Sequence, residues 1–327
     1  MFGATAAVTE HAATYLSISI LGMPGMLIVF AATGLLRGLQ NTKIPLLVSG
    51  LGFVANAGLN ALLIYGIGLG VAGSAIGTVI AQWGMALIFI AVAVRAARAE
   101  GVSLRPGFAG VRLAAGSGGW LFLRTLTLRI ALLTTVVVAT DRGTEVLAAT
   151  QIVFTIFSTL GFAHDALAIA GQAMVGKALG ANDAAEARAI NTRLLQWGIL
   201  IGIAVAIPLV AASSVIGAIF TGDSAVQSLV MPGLILLALA QPIFAIVCVL
   251  DGVLIGSGDA RYLAIVGVIN LLVYLPLLWI TEWAQLEGSE AMIAIWGAFA
   301  FGYLLARACT LWFRVRTDRW LVVGHSR

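Results

Sequence analysis

The sequence predicts an all-α, polytopic membrane helix bundle with nine transmembrane helices. Three observations carry this expectation. The 327 residues are 61% hydrophobic and 10% charged, with a mean hydropathy of +1.06. A soluble globular chain carries about 25% charged residues, so this one has too little polar surface to face water on all sides. The apolar residues gather into nine stretches, each near the roughly 20 residues a helix needs to cross a bilayer. The chain also repeats itself without a gap. Adding 218 to the residue number carries Pro24 to Pro242, Gly34 to Gly252, Gly38 to Gly256 and Asn41 to Asp259, and likewise Phe2 to Phe220 and Val8 to Val226.

In chain order the stretches are 12–35, 45–65, 71–95, 116–139, 145–171, 194–219, 226–250, 262–283 and 291–313. All are expected to be helices, because a lipid-facing irregular backbone leaves its polar groups unpaired. The stretches are also too long and too evenly apolar for barrel strands.

The connections alternate in charge. One set holds Arg37 and Lys43; Arg95, Arg98, Arg105 and Arg112; Lys177, Arg188 and Arg193; Arg261; and Arg314, Arg316 and Arg319. The other holds Glu10; Asp141, Arg142 and Glu145; Asp223; and Glu282, Glu287 and Glu290. Lys and Arg collect on the cytoplasmic side. This places the N-terminus of the chain outside and the C-terminus in the cytoplasm, in a multi-pass plasma-membrane protein (the inner membrane of a bacterium). The net charge of +4 follows from that topology and does not indicate nucleic-acid binding. Cys248 and Cys309 lie in apolar stretches and imply no disulfide framework. Met1-Phe2-Gly3-Ala4 has no basic region of the kind that opens a signal peptide.

The basic connection around Pro106 and Gly107 is the natural linker. It divides the chain into residues 1–105, with three helices, and 106–327, with six. The repeat matches the first three helices to the last three. The expected parent is therefore six plus six helices in two parallel copies related by an axis along the membrane normal, with the first three helices of the first copy missing.

Two motifs are decoys. Gly68 to Gly73 fits a dinucleotide fingerprint, but that motif needs a preceding strand and a βαβ unit. Here it is a tight turn between membrane helices. Gly171 to Lys177 approaches a phosphate-binding loop, yet Ala178 lacks the hydroxyl that would hold magnesium. His11, His164 and His325 are scattered, so neither a metal site nor a catalytic group is expected, and the protein is read as a non-enzyme.

Several segments together resemble a known family. They are Gly34-Leu35-Leu36-Arg37-Gly38 with Asn41-Thr42 and Pro45; Asn56-Ala57-Gly58-Leu59-Asn60; Gly70 to Thr78; Leu121 to Leu126; Asp165 to Ala173; and Asp251 to Asp259. In order and spacing they are similar to the multidrug and toxic compound extrusion (MATE) transporters, within them the DNA-damage-inducible F-like branch. The resemblance implies a six-plus-six pseudo-symmetric transporter, of which this chain is a remnant, with a central cavity opening alternately to either side. It implies export of amphiphilic or cationic small molecules by antiport with H+ or Na+, without other cofactors, by a monomer in the lipid bilayer. One departure concerns coupling: the family commonly has Leu-Asp where this chain has Leu59-Asn60, and Asn60 cannot ionise. The alternatives are a lipid-linked precursor flippase of the same superfamily, or a truncated fragment that does not transport.

Charged groups inside membrane helices usually face the bundle interior or water. Arg124 and Asp165 stand out by depth. One reading is that Asp165 binds a cation or proton while Arg124 tunes or pairs with it; the other is a structural pair locking two helices. Asn56 and Asn60, four apart, share a helical face, for substrate or ion contact or for helix–helix hydrogen bonding. Gln151 and Gln172 are candidates to line the second cavity. Asp251, with Gly252 and Gly256, is read as an inside helix end or gate. Pro24 and Pro242 are expected to kink corresponding helices as hinges.

Overall fold

The computed structural model describes residues 6–99, 101 and 108–322. Among them nine helices are long and apolar enough to cross a membrane: α1 (Val8–Gly38), α2 (Lys43–Gly66), α3 (Gly70–Ala99), α4 (Ala115–Asp141), α5 (Thr144–Gly180), α6 (Ala184–Phe220), α7 (Ser224–Gly256), α8 (Ala260–Thr281) and α9 (Gly288–Arg316). No strand occurs among the described residues. Several helices outrun the expected spans. The largest difference is α6, expected from residue 194 and found from Ala184, where the Asp183 side chain accepts from the Glu186 backbone N–H as an N-cap. Hydropathy marks only the part immersed in lipid, and the polar first turns of α6 extend the same helix beyond it.

The chain forms two compact units, residues 1–107 and 108–327. The linker position at Pro106 and Gly107 lies outside the described residues, as does Phe2 of the repeat.

The repeat is visible in backbone geometry. Helix α1 ends at Gly38 and α7 ends 218 positions later at Gly256. Both close with the same Schellman turn. Asn41 N–H donates to the Leu36 carbonyl (2.8 Å) and Gln40 N–H to Arg37 (2.9 Å); Asp259 N–H donates to Leu254 (2.9 Å) and Gly258 N–H to Ile255 (3.0 Å). The left-handed residue of each turn is Gln40 (φ 59°) in one copy and Gly258 (φ 77°) in the other. The third helix of each copy starts from an equivalent left-handed glycine, Gly70 (φ 53°) and Gly288 (φ 52°).

In the first unit α3 packs against both α1 and α2. Pro24 has no N–H to offer the Ile20 carbonyl, and here α1 is interrupted by a 3-10 turn over Ile20–Gly22. The Trp83 indole on α3 donates to the Leu21 carbonyl at 2.9 Å and satisfies the loosened backbone. The expected kink at Pro24 thus takes the form of a helix break. At Pro242 the outcome differs. Helix α7 stays α-helical through it, and Gly202 of α6 lies against the proline, where a Cβ would sit 2.7 Å from Pro242 Cα.

The second unit has α7 as its central, most buried helix. An aromatic cluster including Phe157, Tyr274, Trp296, Phe299 and Tyr303 fills one half of its core. A second apolar cluster around Val253, Leu311 and Trp320 fills the other. Gly252 and Gly256 set α7 directly on the backbone of α5, at Ala168 and Gln172, closer than any Cβ would allow.

Candidate functional site

That close contact of α5 and α7 brings one face of each helix to a common cavity. On α5 the face is Gly161, Asp165, Ala168 and Gln172; on α7 it runs from Phe244 through Cys248 and Asp251 to Ile255. These spacings of three and four residues are those of one side of a helix. Helix α4 adds Arg124, and α9 adds Tyr303 and Arg307. The cavity volume is about 390 Å³.

Asp251 is the centre of the site, 6% exposed. Arg307 Nη2 donates to both of its carboxylate oxygens, at 2.9 and 2.8 Å, and Arg124 Nη2 donates to Oδ2 at 2.7 Å. Arg307, 3% exposed, sits just beyond a π-helical stretch over Ala298–Leu304 that carries Tyr303. Wide π turns re-aim side chains and often mark functional sites. A buried charge is tolerated only when paired and hydrogen-bonded. This carboxylate holds two guanidiniums, so the three groups carry one excess positive charge. The Asp165 carboxylate, on the same cavity wall, has no hydrogen bond or ion pair among the described residues. With both aspartates ionised, the four groups cancel.

The structure rearranges the sequence-based expectations. Arg124 does not pair with Asp165; its partner is Asp251, which lies on the far more buried helix. Asp251 does fall near the end of α7, but as a closed ion-pair centre. Gln172 lines the cavity, whereas Gln151 is exposed and does not. The two lie on one helix 21 positions apart, about 31 Å at the rise of an α-helix, too far to share this space. In the first unit Asn60 Nδ2 donates to Asn56 Oδ1 at 3.0 Å, so the two do share a face, and Asn60 packs over Gly77 of α3.

Arg307 escaped the sequence reading. Its signal was there: a cation deep in the apolar stretch 291–313. The repeat also pointed to it, because position 89 of the first copy, equivalent to Arg307, is a buried phenylalanine, and position 33, equivalent to Asp251, is Thr33. The ion-pair centre therefore belongs to the second copy alone. Among the described residues no group of three or more His, Cys, Asp and Glu could hold a metal ion.

Residues 1–62 and 121–280 match the MatE family. The chain belongs to that family. Protein DETOXIFICATION 43 of Arabidopsis thaliana is 30% identical over 223 residues, 67% of this chain and 41% of that protein. DNA damage-inducible protein F of Escherichia coli K12 is 28% identical over 188 residues, 56% of this chain and 41% of the relative. This MATE chain thus spans about two fifths of the length of the curated relatives it matches. A crystal structure of a point mutant of the Vibrio cholerae MATE transporter VcmN superposes with a TM-score of 0.84 at 18% identity, covering 98% of this chain and 73% of that one. That likeness establishes a MATE fold, in a multi-pass membrane protein.

Proposed function

We propose that this MATE protein serves export of amphiphilic or cationic small molecules by antiport with H+ or Na+, with Asp165 as the exchanging group. The supporting observation is an unpaired carboxylate in the same cavity as an ion-pair centre that already has its own partners. Antiport needs driving ion and substrate to exclude one another. A single carboxylate provides this by charge alone. Ionised, Asp165 cancels the excess positive charge of Arg124, Asp251 and Arg307 and leaves a local anionic surface for a cation. Protonated or occupied by Na+, it leaves the wall net positive and repels the same cation. Asn60, unable to ionise, leaves Asp165 as the candidate. The basic-residue asymmetry supports an orientation with the C-terminus in the cytoplasm.

The test is equilibrium binding of tetraphenylphosphonium to the purified chain. Rising Na+ or falling pH should displace the cation, and Asp165→Asn should bind it more weakly and lose the displacement. Binding that neither ion disturbs would sink the reading.

The two arginines on the cavity wall favour a second reading, an anionic lipid-linked substrate of the flippase type. In the same assay that reading requires Asp165→Asn to strengthen the binding of an isoprenyl phosphate.

A further inference from the structure

A second recess lies at the basic ends of α6 and α9 and shares no lining residue with the first cavity. It measures about 470 Å³. One wall is a stripe of α6: Arg188, Asn191, Thr192, Leu195, Gln196 and Ile199. The opposite wall is Trp312, Val315 and Arg316 of α9, with Ile246 of α7 behind. Its polar end is shaped by the chain after α9. Asp318 adopts a left-handed backbone (φ 55°), which turns Trp320 back into the core, where its indole donates to the Val315 carbonyl at 2.9 Å. The same turn presents the Asp318 carboxylate to Arg188 at 2.9 Å.

We propose that this groove is a binding site for one anionic glycerophospholipid of the phosphatidylglycerol type. Four observations converge. The polar end carries Arg188 and Arg316 against Asp318, a net single positive charge that matches one phosphodiester. Arg316 is exposed and has no ion-pair partner among the described residues. Asn191 is 8% exposed, and its amide oxygen has no hydrogen-bond partner among the described residues. It is an acceptor that a glycerol hydroxyl can satisfy and a choline cannot. Leu195, Ile199, Ile246 and Trp312 make the remaining wall apolar, as an acyl chain requires. The α6 stripe from Arg188 to Ile199 runs about 16 Å, enough for a headgroup and the first carbons of a chain. Beyond the groove α6 exposes Leu200 and Ile203, apolar side chains of the kind that lipid covers. Tryptophans with nearby arginines are the usual furniture of the headgroup region.

The test is native mass spectrometry of the full chain released from detergent with added lipid. One phosphatidylglycerol should be retained in preference to phosphatidylcholine and phosphatidylethanolamine. Arg316→Gln, at an exposed position that does not threaten folding, should weaken retention about fivefold, the share of one arginine at an anionic headgroup. Asn191→Leu should weaken it as well. Arg193→Gln, outside the groove, should not. sn-Glycerol 3-phosphate at millimolar concentration, which has the headgroup chemistry without the chains, should fail to displace the lipid. Equal retention of phosphatidylcholine, indifference to Arg316→Gln, or displacement by glycerol phosphate would each overturn the assignment.

Discussion

Arg307 reaches Asp251 across 56 positions of sequence and grips both carboxylate oxygens through one nitrogen, at 2.9 and 2.8 Å. The pair is buried, and Arg124 completes it from a third helix. α4, α7 and α9 are therefore tied at one point, while Arg124 Nε and Arg307 Nη1 have no hydrogen-bond partner among the described residues. Removing one member strands the others, which in a buried site costs about 3–5 kcal/mol, whereas replacing a pair with apolar residues of similar volume is often near neutral.

The first prediction follows from that asymmetry. Asp251→Leu and Arg307→Met should each lower the thermal unfolding temperature in detergent sharply. The triple variant, with Arg124→Met added to both, should recover much of the loss. Simple additivity of the changes would mean that the groups do not act as one unit.

Asp165 should behave in the opposite way. It is exposed to the cavity and unpaired, so Asp165→Asn should leave unfolding within about 0.5 kcal/mol of the parent, the range for substitutions that break no buried contact. Cation binding should nonetheless weaken, and its competition by Na+ or protons should be lost. A variant that unfolds early but still exchanges ions would reverse the roles of Asp165 and Asp251.

The two copies of the repeat should answer differently to the same substitution. A Cβ at Gly252 would collide with the backbone of Ala168, and one at Gly256 with that of Gln172, while Gly34 and Gly38 have nothing within 4 Å. Gly252→Ala should destabilise by about 1–3 kcal/mol through overpacking. Gly34→Ala should be neutral, or stabilise by up to about 1 kcal/mol from helix propensity. Equal effects at the two positions, measured by denaturation in detergent, would contradict the packing described.

Topology can be tested with thiols. Cys309 is exposed and Cys248 buried, so both are first replaced. A cysteine at Ser289 should then react with an impermeant maleimide on intact cells, and one at Ser326 only after permeabilisation. The opposite pattern would invert the orientation.

Most of the architecture was legible in the linear chain, and the reasons are local. Each span declares itself by hydropathy over about 20 residues, because bilayer thickness sets that length. The repeat could be read from Pro24, Gly34, Gly38 and Asn41 because a gapless shift keeps every turn in register. The structure carries the same shift down to the paired left-handed turns at Gln40 and Gly258. The Asn56–Asn60 bond was likewise a matter of helical spacing.

The site was less legible. Depth singled out Arg124 and Asp165, and both reach the cavity, but pairing them assumed that consecutive helices must be partners. Arg124 instead finds Asp251 across 127 positions. Gln151 and Gln172 looked equivalent as polar residues on one helix, and only three-dimensional packing placed one of them at the cavity.

The sequence by itself determined the class of the protein, the order and number of its spans, its internal repeat and its MATE resemblance. Each of these is written in composition, periodicity or motif order along a single line. Tertiary structure decided which charges meet. Ion pairing in a helix bundle depends on the rotation and depth of helices far apart in the chain. In this protein those are set by contacts such as Gly252 on Ala168 and by the π turn that aims Arg307; the Gly252–Gly256 spacing signals a close helix contact but does not name the partner, and the π turn has no such signal.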